Sequence, residues 1–335
     1  MKALVIEAPH RAVVQEVPYP SPGSGEITIR VERTGICGTD IHIFEGSYIS
    51  PYPLIPGHEF SGTVHEVGEG VDGFAPGDRV SADPNLFCGS CEFCLTNRGN
   101  QCSRFEAIGV TLNGSMAEFV KVSARNALKL PEDMTFAEAA FIEPMACVVH
   151  AMNRLQLRAG SRVLLLGAGS MGQQLVQALS ASGASVLCAT DISERKLSMA
   201  MQLGATHSVL SSELDPSRMK KIAPHGFDVV VEATGIPAVI ERAFSFMGPA
   251  ATYLQFGVTD PQAKIPLSPF ELFKRDWTLL GSMAINHTFV PAMHWLAAGR
   301  IQVQPLISDT IGLEEAAQFL AGPRDPDQYK VQIQP

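Results

Sequence analysis

The sequence predicts an α/β protein in two parts, a turn-rich β region followed by a doubly wound parallel sheet. Two observations carry this expectation. Up to about residue 150, short alternating runs such as EITIRVERTG and FSGTVHEVG are split by Pro and Gly clusters (PYPSPGSGE, ISPYPLIPGHE, GFAPGDRV), the pattern of short strands joined by turns. Beyond it, apolar runs alternate with helical periodicity, as strands linked by crossover helices require. At 335 residues and 46% hydrophobic, the chain is long enough to bury two cores.

In the second part VLLLGAG reads as a buried strand. GSMGQQLVQALSASG follows as a helix with Met171, Leu175 and Leu179 on one face, and SVLCATD as a second strand. ISERKLSMAMQLGA is a further helix with Ser193 as N-cap and Gly204 as stop, before the strands THSVL and FDVVVEAT. After about Ala284 the alternation weakens, which leaves a C-terminal piece that must pack elsewhere. No internal repeat or low-complexity segment is visible.

Charge and hydropathy exclude several partners. The net charge of −9, with no basic block, argues against nucleic acid or an anionic membrane surface, both of which reward clustered Lys and Arg. The strongest apolar run, RVLLLGAG, is broken by glycine far short of the roughly eighteen residues of a membrane helix. The opening MKALVIEAPH is no signal peptide, so the expected compartment is cytoplasmic.

Cysteine usage then becomes informative, because in a reducing compartment clustered cysteines point to metal rather than disulfides. Cys88, Cys91 and Cys94 are each separated by two residues, and Cys102 returns after a gap holding Asn97, Gly99 and Asn100, good turn formers. Four thiolates can converge on one point. Four cysteines leave no position for substrate, so a zinc held there braces a loop and does no chemistry. An iron-sulfur cluster would prefer a shorter last gap followed by proline, where this chain has Ser103.

Gly167, Gly169 and Gly172 form G-x-G-x-x-G between a strand and a helix, the context in which the motif means dinucleotide binding. The first glycine permits the turn, the second lets backbone approach a pyrophosphate, and the third lets helix and strand pack. Asp191 ends the next strand, where its carboxylate can accept bonds from ribose hydroxyls and repel a 2′-phosphate, which favours NAD over NADP. The plainer alternative is that Asp191 caps the following helix beside Ser193. Arg195 lies over the adenine or is an ordinary solvated helix residue.

Three more stretches carry metal-ligand chemistry: GICGTDIH (Gly35 to His42), PGHEF (Pro56 to Phe60) and FIEPMA (Phe141 to Ala146). Singly each is weak, since a lone Cys37 or His58 is commonly a core residue. Together with the cysteine cluster and GAGSMG, in this order and spacing, they resemble the zinc-dependent medium-chain dehydrogenases, in particular the sorbitol (polyol) dehydrogenase-like branch.

That resemblance implies a GroES-like catalytic domain over residues 1–145 and 284–335, with a structural zinc lobe at about 86–104, and a Rossmann NAD-binding domain over 146–283. It implies two zinc ions per chain, one structural on Cys88, Cys91, Cys94 and Cys102, the other catalytic on Cys37, His58 and Glu143. Cys147 is a rival to Glu143, but it falls in the helical stretch ACVVHA. Glu59 matches a carboxylate beside the metal, as direct ligand or through water. Asp40 is expected to accept a hydrogen bond from the far nitrogen of His58. Thr39 and His42 match a proton relay running through the cofactor ribose, the alternative being a Thr and a His in an ordinary loop.

The function so implied is hydride transfer from a secondary hydroxyl of a polyol to NAD, by a homo-oligomer, dimer or tetramer. Threonine 3-dehydrogenase and a phosphorylated-polyol dehydrogenase are the enzymatic rivals, and a non-catalytic cofactor-binding protein is the rival from another class. Such a protein has no need of Cys37, Thr39, His42, His58 and Glu143 together. LLGSMAINHTF aligns with the stretch where sorbitol dehydrogenases place an Arg-Tyr pair, and here those positions read Ala284-Ile285. The expected substrate is therefore a polyol other than sorbitol.

Overall fold

EITIRVERTG forms the ten-residue strand Glu26–Gly35, which sends Ile27, Ile29 and Val31 into the core while Arg30 stays exposed. One edge pairs antiparallel with Glu59–Val67, which is followed outward by Arg79–Ala82 and Ala127–Lys129. Its other edge meets Phe119–Ser123 first and then, near Gly35, the C-terminal strand Lys330–Ile333. Ile307–Ile311 completes this sheet by pairing parallel to Lys330–Ile333. The piece beyond Ala284 thus finds its partners in the N-terminal β region. Ile27, Ile29, Phe60, Val64, Val80, Val120 and Val122 are all essentially buried, each worth about 1.5–3 kcal/mol on the transfer scale.

Register brings the chemistry to one end of that sheet. Gly35 is the partner of Glu59 on one side and of Gln332 on the other. Cys37, His58, Glu59 and Lys330 therefore meet although they are far apart in the chain. A Cβ on Gly35 would lie 2.3 Å from Glu59 Oε2, so the absent side chain makes room for that carboxylate.

The computed structural model describes residues 1–335, which fall into two compact units. The first comprises Met1–Ala146, Ile285–Ala298 and Val303–Pro335, the second Cys147–Ala284 and Gly299–Gln302. In the second, six parallel strands lie in the order His207–Leu210, Val186–Asp191, Arg162–Leu166, Phe227–Glu232, Met247–Gln255, Thr278–Gly281. Strand order reverses direction between Arg162–Leu166 and Phe227–Glu232, the place where doubly wound sheets bind their ligands. Helix Ser170–Ala181 buries Leu175 and Leu179 as expected, but also Gln173, Gln174 and Gln177. Met171 is only half-buried, so this helix is enclosed on most sides and is not simply amphipathic. No helix is long and apolar enough to cross a membrane.

Candidate functional site

Cys37 stands at the N-terminus of helix Gly38–Glu45, His58 directly precedes strand Glu59–Val67, and Glu59 opens it. Ligand atoms of Cys37, His58 and Glu59 all lie within 4.8 Å of one another. Asp40 binds the two segments together. Its Oδ2 accepts from the Cys37 N–H at 2.7 Å and its Oδ1 from the Gly57 N–H at 3.1 Å. The expected bond to His58 is not made, because Asp40 Oδ1 is 3.6 Å from His58 Nδ1, beyond hydrogen-bonding range. Both carboxylate oxygens are instead engaged by backbone, and Asp40 faces His58 only at this longer distance. His58 Nδ1 is buried without a hydrogen bond.

Glu143 enters from the first turn of helix Ile142–Leu155. It is buried but lies outside the set gathered within 4.8 Å. Burial pushes its carboxyl up to about 7, with His58 opposing and Glu59 adding to the rise. Burial works against the charge of His58, yet Asp40, Cys37 and Glu143 hold the imidazole well above its ordinary range. So many anionic groups around one buried imidazole make a place for a cation. A thiol, an imidazole and carboxylates form a donor set that suits zinc. Cys147, on the same helix as Glu143, is half-buried.

Thr39 Oγ1 is 3.7 Å from Cys37 Sγ. His42 is half exposed on the same helix, with Ser47 Oγ at 3.3 Å and Glu45 Oε2 at 3.7 Å from its Nδ1. The structure adds a residue that sequence reasoning missed. Lys330 Nζ sits 2.8 and 2.7 Å from the two Glu59 carboxylate oxygens and 3.1 Å from the Ile36 carbonyl. Burial opposes the Lys330 charge, but Glu59, Cys37 and Glu143 outweigh it and hold the amine above its usual value. Nothing in the local pattern DQYKVQIQP signals this pairing, which depends on sheet register.

The cysteine lobe is a second, separate centre. Its sulfurs are all free thiols, with Cys91 to Cys94 at 3.5 Å, Cys88 to Cys94 at 3.9 Å and Cys91 to Cys102 at 3.9 Å. A tetrahedron with Zn–S arms of about 2.3 Å has edges of about 3.8 Å, so the spacing fits zinc. Backbone N–H groups of Ser90 and Cys91 pull the Cys88 thiol down to about 5. Burial and then the neighbouring sulfurs push Cys94 up to about 12, since four crowded thiols cannot all ionise without a cation among them. Asn286 Nδ2 donates to the Asn97 carbonyl at 2.9 Å, and His287 sets its ring edge-on to Phe87. Both residues brace the lobe, while Ile285 is fully buried.

In the second unit, Gly167 takes φ 99° and Gly172 packs so closely that a Cβ would lie 2.2 Å from the Gly167 carbonyl oxygen. A Cβ on Gly169 would meet nothing within 4 Å, leaving its backbone open to an anion at the N-terminus of helix Ser170–Ala181. Asp191 Oδ2 accepts from the Ala168 N–H at 2.7 Å and Oδ1 from the Ser193 N–H at 3.0 Å. It thus ties the glycine turn to the next helix, and each oxygen keeps a lone pair for a further donor. Ser193 caps helix Glu194–Gln202 by accepting from Lys196 N, and Arg195 is exposed on that helix. Glu232 is fully buried at the end of strand Phe227–Glu232. It accepts from the N–H groups of Thr234 at 2.7 Å and Gly235 at 3.1 Å and from Gln255 Nε2 at 2.9 Å. A carboxylate closing a buried apolar run is a sequence signal that could have singled it out.

Comparison with known proteins places the chain in a family. Residues 23–132 match the family described as alcohol dehydrogenase GroES-like domain, and residues 170–298 that described as zinc-binding dehydrogenase. D-arabinitol dehydrogenase 1 of Uromyces fabae is 33% identical, over 100% of this chain and 97% of its own. D-altritol 5-dehydrogenase of Agrobacterium fabrum (strain C58 / ATCC 33970) is 36% identical, over 99% of each. A crystal structure from Sinorhizobium meliloti 1021, bound to NADP, superposes with a TM-score of 0.96 at 33% identity and covers 100% of this chain and 99% of that one. The chain belongs to the zinc-dependent medium-chain dehydrogenases, in their polyol dehydrogenase branch. It is an oxidoreductase whose fold is a GroES-like domain joined to a Rossmann-type sheet.

Proposed function

We propose that the enzyme oxidises a secondary hydroxyl of a polyol and passes the hydride to NAD. In this reading residues 1–145 and 284–335 form the catalytic domain and residues 146–283 the cofactor domain. Its main support is the meeting of Cys37, His58 and Glu59, with Glu143 buried nearby, at one end of the first unit's sheet. Cys37, His58 and a carboxylate, Glu59 within the gathered set or Glu143 beside it, would hold one zinc, and the four cysteines of the lobe would hold another. A bound zinc acts as a Lewis acid toward a hydroxyl oxygen. Thr39 would accept the hydroxyl proton while giving up its own, and half-exposed His42, with Ser47 and Glu45 at its ring, would take up the relayed proton at the other end and release it to solvent.

The carboxylates favour a polyol over a simple alcohol. Beside its bonds to Lys330, each Glu59 oxygen keeps a lone pair that a second substrate hydroxyl can use and a simple alcohol cannot. The relatives named for D-arabinitol and D-altritol support the same substrate class. Initial rates across a panel of polyols, followed at the nicotinamide absorbance, should place a polyol other than sorbitol first and ethanol far behind. Sorbitol as best substrate, or ethanol rivalling the polyols, would sink this reading.

Asp191 supports NAD, since its charge disfavours a 2′-phosphate. The Sinorhizobium meliloti structure bound to NADP favours a second reading, and kcat/KM with each cofactor decides between them. The partner we propose is a second copy of this chain. Strand Thr278–Gly281 is an unpaired sheet edge with Leu279 partly exposed, and Phe273 nearby is 82% exposed, a surface that invites edge pairing. Sedimentation showing only monomer would remove it. Seven free cysteines suit a reducing, cytoplasmic setting.

A further inference from the structure

We infer that Glu232 is a positioning residue for the dinucleotide, holding two turns against the glycine turn in the shape that binds the cofactor without touching the cofactor itself. This rests on the reading of the second unit as a dinucleotide site. Glu232 ends its strand where the strand order reverses, level with Leu166 on one neighbouring strand and Gln255 on the other.

Its carboxylate is saturated. Oε1 accepts from the Thr234 N–H at 2.7 Å, from the Thr234 hydroxyl and from the Gly235 N–H at 3.1 Å. Oε2 accepts from the same Gly235 N–H at 3.1 Å and from Gln255 Nε2 at 2.9 Å. The Gln255 amide has one workable orientation, because its Oε1 takes the Tyr253 hydroxyl and its Nε2 also donates to the Gly257 carbonyl at 2.7 Å. Every contact brings a hydrogen to Glu232, so both oxygens must be acceptors and neither is left over for a ligand.

Through these bonds one side chain shapes both turns. Gly235 takes φ 69°, and a Cβ there would lie 1.9 Å from the Val258 carbonyl oxygen. A Cβ on Gly257 would lie 2.4 Å from the Gly235 nitrogen and 2.8 Å from Glu232 Oε2. The turns after Glu232 and after Gln255 therefore pack backbone to backbone around the carboxylate. Thr234, held by its N–H and its hydroxyl, sets its methyl against the glycine turn, where a Cβ on Gly167 would lie 2.8 Å from Thr234 Cγ2. The same turns carry Ile236 and Val258 to the surface, 53% and 63% exposed, apolar area that a bound dinucleotide can cover.

Stability alone does not call for a carboxylate here. Val229, Val230 and Val231 are buried in the same strand, and one more apolar residue would continue the run without the cost of burying a charge. What the carboxylate adds is a fixed shape for the turns, and a site already in shape loses less freedom on binding.

The test titrates full-length, zinc-loaded enzyme with NADH and follows the nicotinamide fluorescence. Glu232→Gln sets an amide N–H against N–H donors, and Kd should rise about tenfold or more, with one site per chain still filled and the zinc content unchanged. Thr234→Ser keeps the bond to Glu232 but removes the methyl facing Gly167, and Kd should rise about threefold. Because both act through one contact, adding Thr234→Ser to Glu232→Gln should weaken binding no further. A lower melting temperature in Glu232→Gln with Kd as in wild type would show a merely structural carboxylate and overturn the inference, as would fold-changes that multiply in the double variant. Should Glu232→Gln not fold, Thr234→Val decides: it keeps a methyl toward Gly167 and loses the hydroxyl bond to Glu232, so Kd should still rise about threefold, and Kd as in wild type overturns the inference. Wild type that binds neither NADH nor NADPH brings down the dinucleotide reading of the second unit, and this inference with it.

Discussion

The four sulfurs of the lobe come from one short stretch, Cys88 to Cys102, whereas the groups around Cys37 come from residues 37, 58–59 and 143, with Lys330 reaching in from the last strand. In the lobe, turns and spacing alone bring four sulfurs together. Around Cys37, the groups are placed by strand register, and two of the acidic ones have other partners or stand further off. On the reading proposed above, the local site is the closed, structural one and the site assembled across the sheet is the open one.

The largest effect that would sharpen this contrast is on turnover. His58→Ala should abolish it, by on the order of a thousandfold or more, with circular dichroism little changed, because His58 contributes a ligand and not a core side chain. Retained activity would deny the open centre its role. Cys91→Ala should do the reverse, lowering the melting temperature by several degrees through loss of the brace at the lobe while leaving residual turnover in the folded fraction. A melting temperature equal to wild type would mean that the lobe needs no metal.

Asp40→Ala tests the joint between the two ligand-bearing segments. It strips acceptors from the Cys37 and Gly57 N–H groups, at about 1–3 kcal/mol for a buried unpaired donor. Metal affinity at the Cys37 centre should fall about 10–100-fold, measurable by chelator competition, with the lobe untouched. Equal loosening of both metals would show that the segments are not separately held. The smallest effect is expected in the second unit. Asp191→Ser should weaken NAD binding by about tenfold, the worth of one charged hydrogen bond at the low end of its range, and narrow the preference over NADP. Wild type showing equal efficiency with both cofactors would leave Asp191 with only its backbone bonds to Ala168 and Ser193.

These effects track what the sequence could express. The lobe was legible from spacing, because its geometry is local. So were the glycine turn and the helix capped by Ser193, which depend on residues within a few positions of one another. Cys37 and His58 were legible only as a constellation, and Asp40 was assigned to the wrong bond because motif order cannot say which donors a buried carboxylate meets first. Lys330 was invisible: its partner lies 271 residues away, and only the pairing of Gly35 with both strands brings them together. Asn286 and His287, aligned with a substrate-facing stretch, hold the lobe instead.

The most direct measurement is the zinc content of the fully loaded chain by elemental analysis, in wild type, Cys37→Ala and Cys91→Ala. Two centres built independently predict two zinc ions in wild type and one in each variant, with turnover lost only where Cys37 is replaced. One zinc in wild type, or loss of both ions on replacing either cysteine, would contradict it.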